Sequence, residues 1–500
     1  MHIDLNMKTI INSYKNQFKL ICWCFILVIF SVPIYSQTKI TEKMRKIIND
    51  RMDKQQLRYK KEFTVDCSKQ MLIEPAEENV VHDFEIAKTP PTIKFMIIPD
   101  LEPEYFPEDQ AKYATWSIWH KPTRTEDNKF YFAVGDHRDR GSKIFLYEYS
   151  AQNDVLKKIL DVGHVLNWSD TTYTDGKIHG EMGLMPDGTL WAGTHFGVTP
   201  PDSISLKIGY YGSWLLSYNI NTNIAKNWGV PLVGNTLPLM KLDSKRGKLF
   251  GTGFKGTVLC WDVINHKTIY ADYPPNGWIW WRRACLLDEK TGIFWSTDTG
   301  DGNSSSLFSD INSEHHFISY NPENNCFKRH DLTTPQNPFN GKNERLRAYT
   351  NKRAIDGAYY CMTLNGALFK FWPEKDNVEL ICTNWDKGCY TTTLTMDSEG
   401  KYIYYLPGST DGISVCNKYS PIVQYNIKTK RKKVLCWLSE YFYQNYGYWI
   451  GGTFGMEISE DNSFLVIMMN GAFRMRNYKD DHAIGWPSIL ILQIPVDERE

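Results

Sequence analysis

Three histidines, a group of arginines and a tyrosine carry the chemistry this chain could perform. His179 stands in "KIHGE", His195 in "GTHFG" and His137 in "GDHRD". Arg282 and Arg283 are adjacent, Arg345 and Arg347 are separated by one residue, and Tyr390 follows. Arg474 and Arg476 precede Asp480, Asp481 and His482. An arginine can neutralise a carboxylate and so acidify the C–H beside it. A histidine or tyrosine can then remove that proton, and another such group can protonate the leaving oxygen. This combination suits β-elimination on a uronic-acid sugar. His179, His195, Arg283 and Tyr390 would be catalytic, and His137, Arg282, Arg347, Arg474 and Arg476 would bind substrate. The same histidines with a carboxylate could instead hold a divalent cation, Zn or Ca, as in a metal-dependent hydrolase or isomerase. Spacing alone leaves both open. No GxSxG, HExxH or phosphate loop stands in a suitable context, and Glu181 by itself is not the carboxylate pair of a glycosidase.

A repeated unit would bring these residues together. The unit is a short apolar strand, a turn with Asp or Gly, a second strand ending in small residues, then two further strands. Copies begin at Tyr113, His179, Leu237, Arg282, Arg347, Tyr390 and Gly452; "HGEMGLMPDGTLWAGTHFG" and "LPLMKLDSKRGKLFGTGFKG" are two of them. One four-stranded sheet cannot bury both faces, whereas several stacked around an axis can, and a ring protects their edges. The expectation is an all-β fold over residues 92–500: a seven-bladed β-propeller of four-stranded antiparallel blades. "IKFMIIPD", from Ile93, supplies the strand that completes the ring. In such a ring the first strand of each blade lines the axis. First-strand starts and second-strand ends then open on one face, which gathers His137, His179, His195, Arg282, Arg283, Asp298, Arg345, Arg347 and Tyr390. The insertion of the seventh copy carries Arg474 and Arg476, and that of the fourth carries His315 and His316.

The bulk numbers narrow the partners. Lys and Arg number 57, as do Asp and Glu, which argues against a general nucleic-acid binder. Aromatic residues reach 14%, which fits β-sheet packing or sugar stacking. Lys8, Lys15 and Lys19 precede the apolar run "LICWCFILVIF", then "SVPIYSQ". This is a signal-peptide layout over residues 1–36, with an exported, periplasmic or extracellular product. The run is short for a membrane span, so no integral membrane segment is expected in the mature chain. Residues 37–91 read as an extension, with Ile40, Met44, Ile47, Ile48 and Met52 at helical spacing. A monomer is expected. Of 11 cysteines, Cys22 and Cys24 lie in the apolar run; among the others Cys382 and Cys389 are the best candidates for a disulfide, and no zinc-type pairing is present.

"KIHGEMGLMPDGTLWAGTHFG" resembles the second-blade pattern of secreted bacterial propellers, and "GTFGMEISEDNSFLVIMMNG" with "ILQIPVDERE" is similar to their ending. Ulvan-lyase-like and oligogalacturonate-lyase-like polysaccharide lyases share the architecture. The resemblance implies an anionic polysaccharide as substrate and a cleft with two histidines, a tyrosine and an arginine. His179 and His195 match the two histidines and Arg283 matches the arginine. Tyr210, Tyr211 and Tyr390 are candidates for the tyrosine. Non-catalytic binding of a glycan or protein is the alternative function.

Overall fold

Apolar and aromatic runs such as "KFYFAVG" and "IFLYEYS" are bounded by Asn, Asp and Gly, and this punctuation makes them strands joined by tight turns. The turn at Asp187–Gly188 shows why: Gly188 takes φ 85°, a left-handed conformation costly for other residues. The computed structural model describes residues 62–75, 83–101, 116–169, 171–197, 200–201, 205, 207, 209–254, 256–299, 314–408, 420–472 and 485–499. The expected signal segment, the helix of the extension, Cys416, Arg474, Arg476, Asp480, Asp481 and His482 lie outside them.

The fold is an all-β propeller of small, mostly antiparallel sheets. Six sheets are each built on one stretch of chain, 123–161, 175–227, 239–272, 286–333, 346–383 and 395–437, the last of them gaining a strand from upstream. A further sheet is composite. Trp449–Ile458, Phe464–Ala472 and Ser488–Gln493 continue into Thr92–Ile97 and Thr64–Asp66 from the other end of the chain. Seven equivalent four-stranded copies are therefore not what forms: three of the sheets have five strands, and the composite one is assembled from both ends of the chain. The expected pairing of "IKFMIIPD" with the last copy is present, with Thr92 opposite Gln493. Two strands come from upstream of Thr92. Thr64–Asp66 edges the composite sheet, and Phe84–Ile86 adds in parallel beside Arg431–Trp437.

The core lies between neighbouring sheets. Tyr131, Leu146, Ile178, Leu190 and Leu216 join the first two local sheets. Phe130, Phe132 and Tyr147 of the first local sheet pack on Met96, Val466 and Ile491 of the composite one. Burying each such side chain contributes about 1.5–3 kcal/mol. The described cysteines are all unbridged, Cys382 and Cys389 included. Both pack in the apolar cluster between the sheets at 346–383 and 395–437, as small hydrophobes rather than a disulfide.

One irregularity matters for function. The innermost strand of the second local sheet is split into Asp175–Ile178 and Gly183–Leu184, and both pieces pair with Thr189–Phe196. His179 stands at the gap, where its backbone leaves the ladder.

Candidate functional site

Backbone proximity builds the site. Gly176 lets the first and second local sheets touch: a Cβ there would lie 2.8 Å from both the Gly197 and His137 Cα atoms. His137, at φ 60°, is thereby held against the strand that carries Lys177 and His179. Lys177 is directly across the ladder from His195. Arg283 lies just before Leu286–Asp288, and Arg347 lies within Leu346–Tyr349.

The predicted histidine pair comes together. The His179 and His195 rings meet edge to face at 5.5 Å. His179 Nδ1 is 2.9 Å from the Pro238 carbonyl, which can only accept, so Nδ1 carries the proton. His179 Nε2 then presents its lone pair to Arg283 Nη1, which is in direct contact with it. His195 Nδ1 lies 3.0 Å from Thr236 Oγ1. Trp119 stacks on His179 at 6.1 Å and meets His137 edge-on at 5.4 Å. Ser117 Oγ links that group, 3.1 Å from His137 Nδ1 and accepting from Trp119 Nε1 at 2.6 Å.

Positive charge dominates the electrostatics. Burial, with Arg283 next in effect, holds His179 well below the usual imidazole range. Burial and then Lys177 do the same to His195. Burial, reinforced by Arg283, brings Lys177 down to about 7, although Asp175 and Asp139 oppose the shift. Burial, with Arg283 and Arg345, lowers Arg282 to about 10. Asp175 is raised to about 6 by burial, even though Thr194, Ser213 and Tyr210 all donate hydroxyl hydrogen bonds to it. Both histidines are therefore neutral at pH 7 in a setting that favours an anion.

The other candidates separate into two groups. Arg347 joins the site: with Arg283, His179 and Trp119 it lines a cavity of about 50 Å³ on the axis. Arg347 Nε donates to Tyr390 Oη at 2.8 Å, with the guanidinium 4.9 Å from the ring centre, and Tyr390 is buried. Arg282 and Arg345 are held by the frame. Arg282 lies 4.2 Å from the Phe254 ring and bonds its carbonyl; Arg345 lies 4.6 Å from the Trp281 ring and bonds the Thr299 carbonyl. Asp298 accepts from Arg329 at 2.8 Å and from the His316 backbone, a structural role. His316 points its Nδ1 at the His330 carbonyl, and His315 is buried beside it. Tyr210 bonds Asp175, and Tyr211 is exposed.

The metal expectation fails on its own donors. His179 has a carbonyl at one nitrogen and a guanidinium at the other, and Lys177, Arg282 and Arg283 surround the pair. No group of three His, Cys, Asp or Glu among the described residues could hold an ion. Two residues escaped the sequence reading, Lys177 and Trp119. Lys177 precedes His179 by two, and strand alternation sends both side chains to one side; that spacing was the available signal.

A second cavity, about 1020 Å³, opens where the innermost strands end and turn. Its walls share Lys121 and Glu181 with the smaller one. Lys121 pairs with Glu457 at 2.6 Å, and Lys241 reaches Glu181 and Asn351, each at 2.8 Å.

No family model matches the chain, and no curated protein matches it. Similar solved structures include "Structure of U3-55K" and "Crystal structure of RRP9 WD40 repeats". Each is 8% identical and covers 80% of this chain, with 98% and 97% of its own chain and TM-scores of 0.45 and 0.46. The likeness to the lyase families thus stands on the quoted motifs alone. No helix among the described residues is long and apolar enough to cross a membrane.

Proposed function

We propose that this chain is an exported polysaccharide lyase that cleaves a uronate-containing anionic glycan on an all-β propeller frame. The observation that carries the reading is the Arg283–His179 contact beside His195. A uronate carboxylate recruits Arg283, and this releases the His179 Nε2 lone pair. His179 takes the proton from C5, the C4–O bond breaks, C4=C5 forms, and the His179 imidazolium returns that proton to the leaving oxygen. His195, neutral and next to His179, can relay it by accepting a proton on one face as it gives one up on the other. Arg347 borders the same cavity as a second cation, with the buried Tyr390 hydroxyl accepting its Nε–H behind it.

Incubation of folded protein with ulvan, pectic and glycosaminoglycan polymers, read by the absorbance of the unsaturated product, tests this. Product with wild type and none with His179→Ala is expected. No product from any uronate polymer overturns it. A second reading, glycan binding without turnover, is favoured by burial, since His179 is 8% exposed and His195 2%. Binding in that panel without an absorbance change would select it. Amino-terminal sequencing of the protein from culture medium or periplasm tests export, with Gln37 as the expected first residue.

A further inference from the structure

Among the described residues, Lys177 is the amine of the histidine cluster. It is half-buried, with its amine well screened from water. Nζ donates to the Gly197 carbonyl at 3.0 Å, a neutral acceptor, and sits 5.2 Å from the Trp119 ring centre and 5.4 Å from that of Phe196. Ring faces hold an ammonium ion without discharging it. The strand places it opposite His195 and two residues before His179.

We propose that Lys177 is a ligand-binding residue of this site, giving it a second anion position beside the one at Arg283. The ligand is then a molecule with two anionic groups, and a lone uronate fills half of the charged surface. The inference deepens the reading above in naming the ligand class, but it holds whether or not the ligand is turned over.

The groups acting on Lys177 are Asp175 on its own strand, Asp139 of the first local sheet and Arg283 of the fourth. His195 across the ladder is held neutral. With Lys177 brought to about 7 in the free protein, a bound anion favours the ammonium form, so binding takes up a proton. The sign follows: affinity for the two-anion ligand is full below pH 7 and falls as the pH rises above it.

Calorimetric titration with glucuronate, one carboxylate, and glucarate, two, tests the proposal on the full mature protein. Glucarate should bind wild type about tenfold more tightly than glucuronate, the size expected of one charge-assisted contact. Lys177→Met should remove that advantage and leave glucuronate within about twofold of wild type. Lys177→Arg, which keeps the charge, should retain most of it and covers the case in which the methionine variant does not fold. An equal preference for glucarate in wild type and Lys177→Met overturns the proposal, as does a wild type that does not distinguish the two acids. Lyase assays separate the two ideas: a glucarate preference that depends on Lys177, without product from any polymer, removes the lyase and leaves the two-anion site standing.

Discussion

Lysines at the two ends of the axial channel keep different company. In the larger cavity, Lys121 meets Glu457 and Lys241 meets Glu181, so each cation is matched by a carboxylate at 2.6–2.8 Å. Beside the histidine pair, Lys177 meets a carbonyl and two aromatic rings, and the strongest charge acting on it is Arg283, of the same sign. Charge at the first end completes the framework. Charge at the second accumulates at a cost in repulsion and desolvation, which an anionic ligand would offset. Groups held in that way mark function more often than stability.

The largest effect expected from this contrast is on activity. Arg283→Met should lower kcat/KM on a cleaved uronate polymer by about 10³, the scale of removing a preorganised charge-stabilising donor. Thermal unfolding should change little. A loss below threefold would show that Arg283 belongs to the framework after all, as Arg282 and Arg345 do.

Next comes the backbone contact that assembles the smaller end. Gly176→Ala would drive a methyl against the Gly197 and His137 backbones, which cannot rotate away as a side chain can. A destabilisation of about 3 kcal/mol is expected in urea unfolding. If the variant is as stable as wild type, the strands at 175–178 and 189–196 do not approach the first sheet this closely.

At the other end, Lys241→Met leaves Glu181 with Lys121 alone and breaks the bridge to Asn351. Because Lys241 is largely buried, about 2 kcal/mol should be lost, with kcat unchanged. Activity falling with stability intact would mean that the shared wall, Lys121 and Glu181, transmits charge to the histidines.

The two ends should also separate by pH. His179 and His195 bind protons less readily folded than unfolded, so stability falls as the pH drops below about 6.5, by up to about 1.4 kcal/mol per pH unit for each. Glu181 is the opposite case: Lys241 and Lys121 outweigh burial and lower it, so its contribution is complete above its ordinary 4.5 and is lost only in stronger acid. Unfolding measured from pH 7 to 2 should show an early loss that His179→Asn and His195→Asn reduce, leaving the share of the buried His120, and a late one that they leave. A single acid transition untouched by either variant would contradict the assignment.

How much of this was legible in the sequence depended on periodicity. Turn residues and alternating apolar runs mark every local sheet, so the face shared by His137, His179 and His195 followed from their places at strand ends. The composite sheet was half visible: Thr92–Ile97 was seen to close the ring, but Thr64–Asp66 and Phe84–Ile86 are three-residue strands, too short for a pattern to declare itself. Lys177 was passed over because a lysine in a strand usually faces solvent, and only the ladder shows it opposite His195. Burial and partners were invisible for the same reason. Nothing in "RRACLL" tells that Arg282 lies on Phe254 while its neighbour reaches His179.

The smallest effect is the sharpest control on the comparison. Arg124 and Glu460 form an ion pair bordering the larger cavity, where Glu460 is 53% exposed. Solvent screens such a pair and both side chains lose freedom in making it, so Glu460→Gln should change stability by less than about 0.5 kcal/mol. The Glu460 backbone N–H is bound to Asn128 Oδ1 at 2.9 Å, so the turn itself should survive the substitution. If Glu460→Gln instead costs as much as Lys241→Met, the pairs there act as one coupled network, and neutrality at that end is a property of the whole ring of charges rather than of each buried pair. In that case adding Lys241→Met to Glu460→Gln should cost less than the sum of the two. Independent costs would leave the contrast where the distances put it: matched pairs at one end, and at the other a cluster of cations around two neutral histidines.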